Sequence, residues 1–361
     1  MAKKLAFDKL LFAAVALLVG FGLVMVYSAS AAIARDRAAL INPFLLKQSL
    51  AAVLGLVAMA VAMHVDYRVL RRTEVIYGLL AGIVVLLVAV LFSGHLNGTQ
   101  RWFFLAGLSI QPSELAKLAL IPFAAHQISR KLDRVNRLDL LLPVAVVCGL
   151  VCGLILIEPD FGTAVLLAST VFFLLFLAGL SWRYVVGGFA LALPLLYALV
   201  IAVPYRRERF FAFLDPEKDA LGSGFQALQS LIAIGSGGPL GLGAGQSLQK
   251  LYFLPHPESD FIYAILCEEL GMLGGLLLVA LFGVVAWRGF RAGLRAPDDF
   301  GRYLAWGFTT VIVLQALLNI SVALALLPTK GIPLPFISYG GSSLVVTMTA
   351  CGVLLNLSQH G

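Results

Sequence analysis

The stretch Leu254-Pro255-His256-Pro257-Glu258-Ser259-Asp260-Phe261-Ile262-Tyr263, continued by Cys267-Glu268-Glu269-Leu270-Gly271, closes a long polar insert and opens a membrane-length apolar segment. Its carboxylates therefore fall where water meets lipid. Asp260 stands at the mouth of the segment, and Glu268 and Glu269 lie roughly 12 Å deeper if the segment is helical. Carboxylates at that depth are costly and usually functional, whereas solvated loop carboxylates need no explanation. On this reading the apolar segment is a span and Asp260 is the expected base of a membrane enzyme. The bland reading of Asp260, a cap at a helix start after Pro257 and Ser259, stays open on the residues alone.

Working outward, the chain is 60% hydrophobic and only 12% charged, with a mean hydropathy of +0.96. A soluble protein carries about a quarter charged residues. Long runs free of Lys, Arg, Asp and Glu predict an all-α polytopic membrane protein. Ten spans fit, at about 10–31, 44–64, 75–93, 114–129, 140–157, 162–180, 184–204, 261–287, 303–327 and 338–358. They form one integral-membrane domain, 1–361, with a long extracytoplasmic loop, 205–260, between the seventh and eighth spans. The first span, Lys-flanked and ending in Tyr-Ser-Ala-Ser-Ala-Ala, resembles a signal peptide, but its apolar run is long for that role.

Basic residues set the orientation. With the N-terminus inside, the short cytoplasmic segments hold Lys3, Lys4 and Lys9, Arg68, Arg71 and Arg72, Arg130, Lys131, Arg134 and Arg137, Arg183, and Arg288, Arg291, Arg295 and Arg302. Both termini are expected in the cytoplasm. The net charge of +7 reflects these arginines and argues for membrane orientation, not for nucleic-acid binding. The four cysteines lie within predicted spans and indicate no disulfide framework; two thiols at Cys148 and Cys152 do not make a zinc site.

The other polar features gather on the outer side. Arg101, beside the aromatic run Trp102-Phe103-Phe104, places a cation at headgroup level. In Gln111-Pro112-Ser113-Glu114-Leu115-Ala116-Lys117, Ser113 is the expected N-cap and Glu114 suits the helix dipole. Lys117 lies three residues on and on the same face, so the two form a pair that either pins the helix or lines a site. In Glu158-Pro159-Asp160-Phe161-Gly162-Thr163, Asp160 is expected to cap the sixth span through the Thr163 amide, with a functional role as the alternative.

The polar insert begins with Arg206, Arg207 and Arg209 and carries Gln226 and Gln229. Its glycine-rich part, 235–246, lacks the Gly-Lys-Ser/Thr ending of a nucleotide loop, so glycines between short re-entrant helices are expected; Lys250 follows. After the ninth span, where Asn319 and Ser321 intrude, three prolines between 328 and 335 break the chain at outer-leaflet depth, with Lys330 in the break. Several cations with a few carboxylates suit an anionic lipid head such as a pyrophosphate. Glycosyl transfer from such a lipid needs one base plus cations or a metal for the departing pyrophosphate.

These motifs, in this order from about residue 10 to the end, closely resemble the SEDS family (shape, elongation, division and sporulation), the membrane peptidoglycan glycosyltransferases typified by FtsW and RodA. The marks are Arg101-Trp102, 111–117, 158–163, Phe225-Gln226-Ala227-Leu228-Gln229-Ser230, Asp260-Phe261-Ile262, 268–271, and Pro335 to Ser343. The form Leu327-Pro328-Thr329-Lys330-Gly331 resembles the division branch more than the elongation branch. The resemblance implies ten spans and polymerisation of lipid II on the outer face, in the bacterial cytoplasmic membrane. It implies Asp260 as the essential catalytic residue, release of undecaprenyl pyrophosphate, and a class B penicillin-binding protein as transpeptidase partner among other divisome membrane proteins. Substrate contacts are expected from Arg101, Glu114, Lys117, Asp160 and Arg209, from Gln226, Gln229, Lys250 and Lys330, and from Ser338 and Ser343. Glu258, Glu268 and Glu269 are expected in support, with a divalent cation, Mg or Mn, as a candidate cofactor.

One departure stands out. Family members often have His and Thr before the Asp, where this chain has Glu258 and Ser259; the extra carboxylate is expected to raise the Asp260 pKa or help hold a cation. The competing classes are a lipid II flippase, which should carry polar residues through both leaflets, an elongation polymerase, and a non-catalytic division scaffold.

Overall fold

The computed structural model describes the chain except residues 1–6, 37–41, 94–100, 106–107, 216–217, 219–221, 223, 252, 330 and 361. Among the described residues ten long helices occur, where largely apolar runs leave the backbone no partner but itself: α1 (Lys9–Asp36), α2 (Pro43–His64), α3 (Thr73–Val90), α4 (Pro112–Arg130), α5 (Leu138–Ile157), α6 (Phe161–Leu177) and α7 (Trp182–Ile201), and later α10 (Ile262–Arg295), α11 (Asp299–Ala323) and α12 (Gly341–Ser358). Two shorter helices, α8 (Pro204–Leu214) and α9 (Phe225–Gly237), form within the polar insert. Each predicted span falls on one long helix. Eight of the ten are long and apolar enough by themselves to cross a membrane. The other two are α4, which carries Glu114, Lys117 and His126, and the shorter α6. A small antiparallel hairpin, β1 (Phe103–Leu105) with β2 (Leu108–Ile110), pairs Phe103 with Ile110 before α4 and was not anticipated.

Burial separates the helices into core and rim. In the most apolar window of α12, 78% of residues are buried, against 6% in α7, which turns nearly its whole surface outward. The centre is α4, α11 and α12, and α2 lies along α12. There Gly352 lets the two backbones meet: a Cβ at that position would lie 2.4 Å from Met59 O.

At one end of the bundle the Asp8 carboxylate accepts from Arg288 Nε at 2.5 Å, and the Asp8 amide donates to Ser358 Oγ. On the same end Tyr67 donates its hydroxyl to Asp298, flanked by Arg68 and Arg71. Asp260 belongs to the opposite end.

The glycine-rich stretch is ordered by α10. Gly271 interrupts that helix at φ 68°, ψ −170°, a conformation almost confined to glycine. The freed amides of Met272 and Leu273 donate to the Gly238 and Pro239 carbonyls, and the amides of Leu242 and Gly243 donate to the Glu268 and Glu269 carbonyls. The loop therefore replaces the helix's own partners at the kink.

Candidate active site at the Asp260 end of the bundle

The segment before α10 is held by its carbonyls. The Tyr339 amide donates to Glu258 O at 2.8 Å, Ser338 Oγ to Ser259 O at 2.5 Å, and Asn319 Nδ2 to Asp260 O at 2.9 Å. Asn319 Nδ2 also donates to Ile332 O at 2.8 Å, and Ser338 Oγ accepts from the Leu334 amide. Three successive carbonyls are thus fixed by α11 and by the proline-broken segment. Gln48 fixes that segment from α2, donating to Ser338 O and accepting from the Gly340 amide.

With its backbone anchored, the half-buried Asp260 side chain reaches Gly331, where a Cβ would lie 3.4 Å from Oδ2. Burial is the main cause that pushes its carboxyl up to about 6; Glu258 adds to the rise, while His256 and Arg209 oppose it. Arg209, on α8, donates to Thr329 O at 3.2 Å, which fixes a guanidinium beside the break. The His256 Nδ1 lies 3.9 Å from Glu258 Oε1, and that carboxylate raises the imidazole pKa. His256 was not singled out from the sequence, although it stands in the quoted motif.

The Glu114–Lys117 pair on α4 is buried. Lys117 Nζ donates to Glu114 Oε2 and to Gln315 Oε1, both at 2.7 Å, and Gln315 Nε2 donates to Pro333 O. The pair thus connects α4 and α11 to the same proline-broken segment. Helix α4 starts with Pro112 at its first position, so Ser113 is not the N-cap; its hydroxyl donates instead to Asp160 Oδ2. Asp160 caps α6 as expected, accepting from the Thr163 amide at 3.1 Å, and its other oxygen also accepts from Gln111 Nε2.

Arg101 donates Nε to Glu158 O at 2.7 Å and Nη2 to Pro159 O, so it grips the carbonyls of this turn, not its carboxylates. Glu158 is fully buried and, among the described residues, neither carboxyl oxygen receives a hydrogen bond. Its desolvation, and next the charge of Asp160, push its pKa up to about 8.

Other expected residues are placed elsewhere. Lys250 is buried and spends its donors on Glu269 Oε1, Ser28 Oγ and Gly245 O, so it is a loop anchor and not a cation open to substrate. Glu269 also accepts from Ser28 Oγ and the Gly245 amide. Glu268 accepts from Ser247 Oγ and the Leu248 amide. Both glutamates clamp the glycine-rich loop to α10. Gln226 and Gln229 are half-buried on α9, which Ser230 ties to Ala323 O. Ser343 is buried one turn into α12, with no hydrogen bond to its hydroxyl. Lys330 lies outside the described residues. Among the described residues no group of three or more His, Cys, Asp or Glu side chains is placed to hold a metal ion.

A bundle of membrane-length helices, with a half-buried carboxyl of raised pKa and an arginine at one end, defines a polytopic membrane protein. The family model for FtsW, RodA and SpoVE, described as "Cell cycle protein", matches residues 8–361. A probable peptidoglycan glycosyltransferase FtsW of Geobacter metallireducens is 43% identical over 94% of this chain and 91% of its own. A chain of a solved peptidoglycan synthase complex that coordinates polymerization and crosslinking superposes with a TM-score of 0.81 at 35% identity, covering 98% of both chains. RodA of Thermus thermophilus gives a TM-score of 0.72 at 30% identity, covering 99% of this chain and 98% of its own. The chain belongs to the FtsW/RodA/SpoVE family.

Proposed function

We propose that this chain is a peptidoglycan glycosyltransferase that polymerises lipid II into glycan strands during cell division, with Asp260 as general base. The observation that carries the role of Asp260 is its setting: a half-buried carboxyl with a pKa of about 6, on a backbone held at three successive carbonyls, beside a fixed arginine. A base of that pKa is ionised at neutral pH and still basic enough to take a hydroxyl proton in the transition state. Asp260 removes the proton from the 4-hydroxyl of the acceptor sugar as that oxygen bonds to the anomeric carbon of the donor. The carbon–oxygen bond to the pyrophosphate breaks, the configuration inverts, and undecaprenyl pyrophosphate leaves. Arg209 is the cation placed to steady the charge near Asp260.

The Asp260 end then faces outward, with loop 205–260 as the extracytoplasmic catalytic segment. The Arg288 end and both termini face the cytoplasm across the bacterial inner membrane. The partner is a class B penicillin-binding protein that cross-links the product, with other divisome membrane proteins around it; the likeness to a chain of a peptidoglycan synthase complex supports a partner of this kind. A Mg or Mn ion would take most of its ligands from pyrophosphate and water, since the described side chains offer no cage.

The test is polymerisation of labelled lipid II by the purified protein, alone and with the transpeptidase, with Mg or Mn and after chelation. Asn caps a helix as well as Asp does but is no base. Asp260→Asn should therefore fold and lose polymer by on the order of 10²–10⁴-fold. Near wild-type polymer from a stable Asp260→Asn variant would remove Asp260 from the catalytic role.

A further inference from the structure

We propose that Arg101 and Arg206, gathered at the Glu158–Phe161 turn, form an anion subsite that takes a diphosphate group. The inference deepens the glycosyltransferase reading and rests on its lipid-diphosphate donor.

Arg206 lies in the first turn of α8, half-buried, with its guanidinium 5.2 Å from the centre of the Phe161 ring and Nη1 donating to Leu199 O. Arg101 is half-buried and donates to the carbonyls of Glu158 and Pro159. Among the described residues neither arginine forms an ion pair with a carboxylate. The two charges are close enough to be felt: the Arg206 pKa is lowered by burial first and then by Arg101. Like charges held together in a half-dry setting are unfavourable until an anion joins them, and guanidinium groups suit phosphate oxygens.

Among the described residues neither neighbouring carboxyl is bonded to this pair. Both oxygens of Asp160 are already engaged, by Thr163 on one side and by Ser113 and Gln111 on the other. Glu158 is buried without a donor among the described residues; burial and then Asp160 push its pKa up to about 8 against the opposing charge of Arg101, so it is largely protonated at neutral pH. The position also fits the chemistry. Gly162, in the same turn, is packed by Ile332, the residue after the Gly331 that meets Asp260. The subsite turn and Asp260 therefore both meet one short segment, at Ile332 and at Gly331.

The test is calorimetric binding of inorganic pyrophosphate to the purified full-length chain in zwitterionic, metal-free nanodiscs, with melting curves to show intact folding. Arg206→Gln should bind on the order of tenfold more weakly or worse, and Arg206→Lys should recover part of the loss. Between pH 7 and 9 the wild-type affinity should fall relative to Glu158→Gln, because ionised Glu158 offsets Arg101 and glutamine cannot ionise. Unchanged binding by folded Arg206→Gln, or no pyrophosphate binding by wild type, would overturn the subsite. So would complete displacement of pyrophosphate by phosphatidylglycerol in the nanodisc, which would make it a phospholipid headgroup site. Asp260→Asn should bind pyrophosphate as wild type does. Normal polymerisation by that variant would sink the catalytic reading and leave the pyrophosphate result standing, so the two failures are distinguishable.

Discussion

Lys117→Met isolates what the buried pair on α4 contributes. Methionine keeps the apolar length of lysine and withdraws only the ammonium. In the native chain that ammonium bonds Glu114 Oε2 and Gln315 Oε1, each at 2.7 Å, with side-chain exposures of only 4% for Lys117 and 3% for Glu114. Removing one partner of a buried pair strands the other charge and costs about 3–5 kcal/mol. The lost bond to Gln315 adds about 1 kcal/mol. Folded proteins have roughly 5–15 kcal/mol to lose, so the variant should unfold at a clearly lower temperature. Combining it with Glu114→Gln removes the stranded charge, and the double variant should recover most of the loss. Thermal unfolding of the detergent-purified chains, followed by tryptophan fluorescence, checks both. Wild-type stability of the single variant, or a double variant no better than the single, would refute the reasoning.

Three further expectations concern the reacting end. Because the general base must be ionised, kcat/KM for polymerisation should rise with pH through about 6 and level off above it. Arg209→Gln, which removes a charge favouring the carboxylate, should move that rise to higher pH, and Glu258→Gln should move it lower; unmoved profiles would contradict the assignment. Asn319→Leu takes away the donor to Asp260 O and Ile332 O and should cut polymerisation on the order of 10²-fold; activity within twofold of wild type would dismiss the clamp. Gly271→Ala forces a side chain into a glycine conformation, with its Cβ 2.4 Å from Gly241 N, and should lower the yield of folded protein or its melting temperature; an unaltered melt would show that the kink can relax.

What the sequence by itself determined was local or set by lipid. The spans were legible because a bilayer demands uninterrupted apolar runs, and each predicted run lies on a helix. The Asp160 cap involves residues three apart, as does the Glu114–Lys117 pair, so spacing alone placed them together. Asp260 stood out through the family resemblance of the motifs around it, since on the residues alone a carboxylate at the mouth of a span is as readily a helix cap.

Only the tertiary structure decided what the long-range groups do. Hydropathy puts a helix in the membrane but does not name its neighbour, so nothing local showed that Lys250 would meet Ser28 on α1 and Glu269 on α10. The same holds for Asn319, Ser338 and Tyr339 closing on three carbonyls before α10, and for Arg101 choosing carbonyls over carboxylates. It holds most for Glu158. Its identity is plain in the chain, but only the packing that buries it without a donor decides whether it carries a charge.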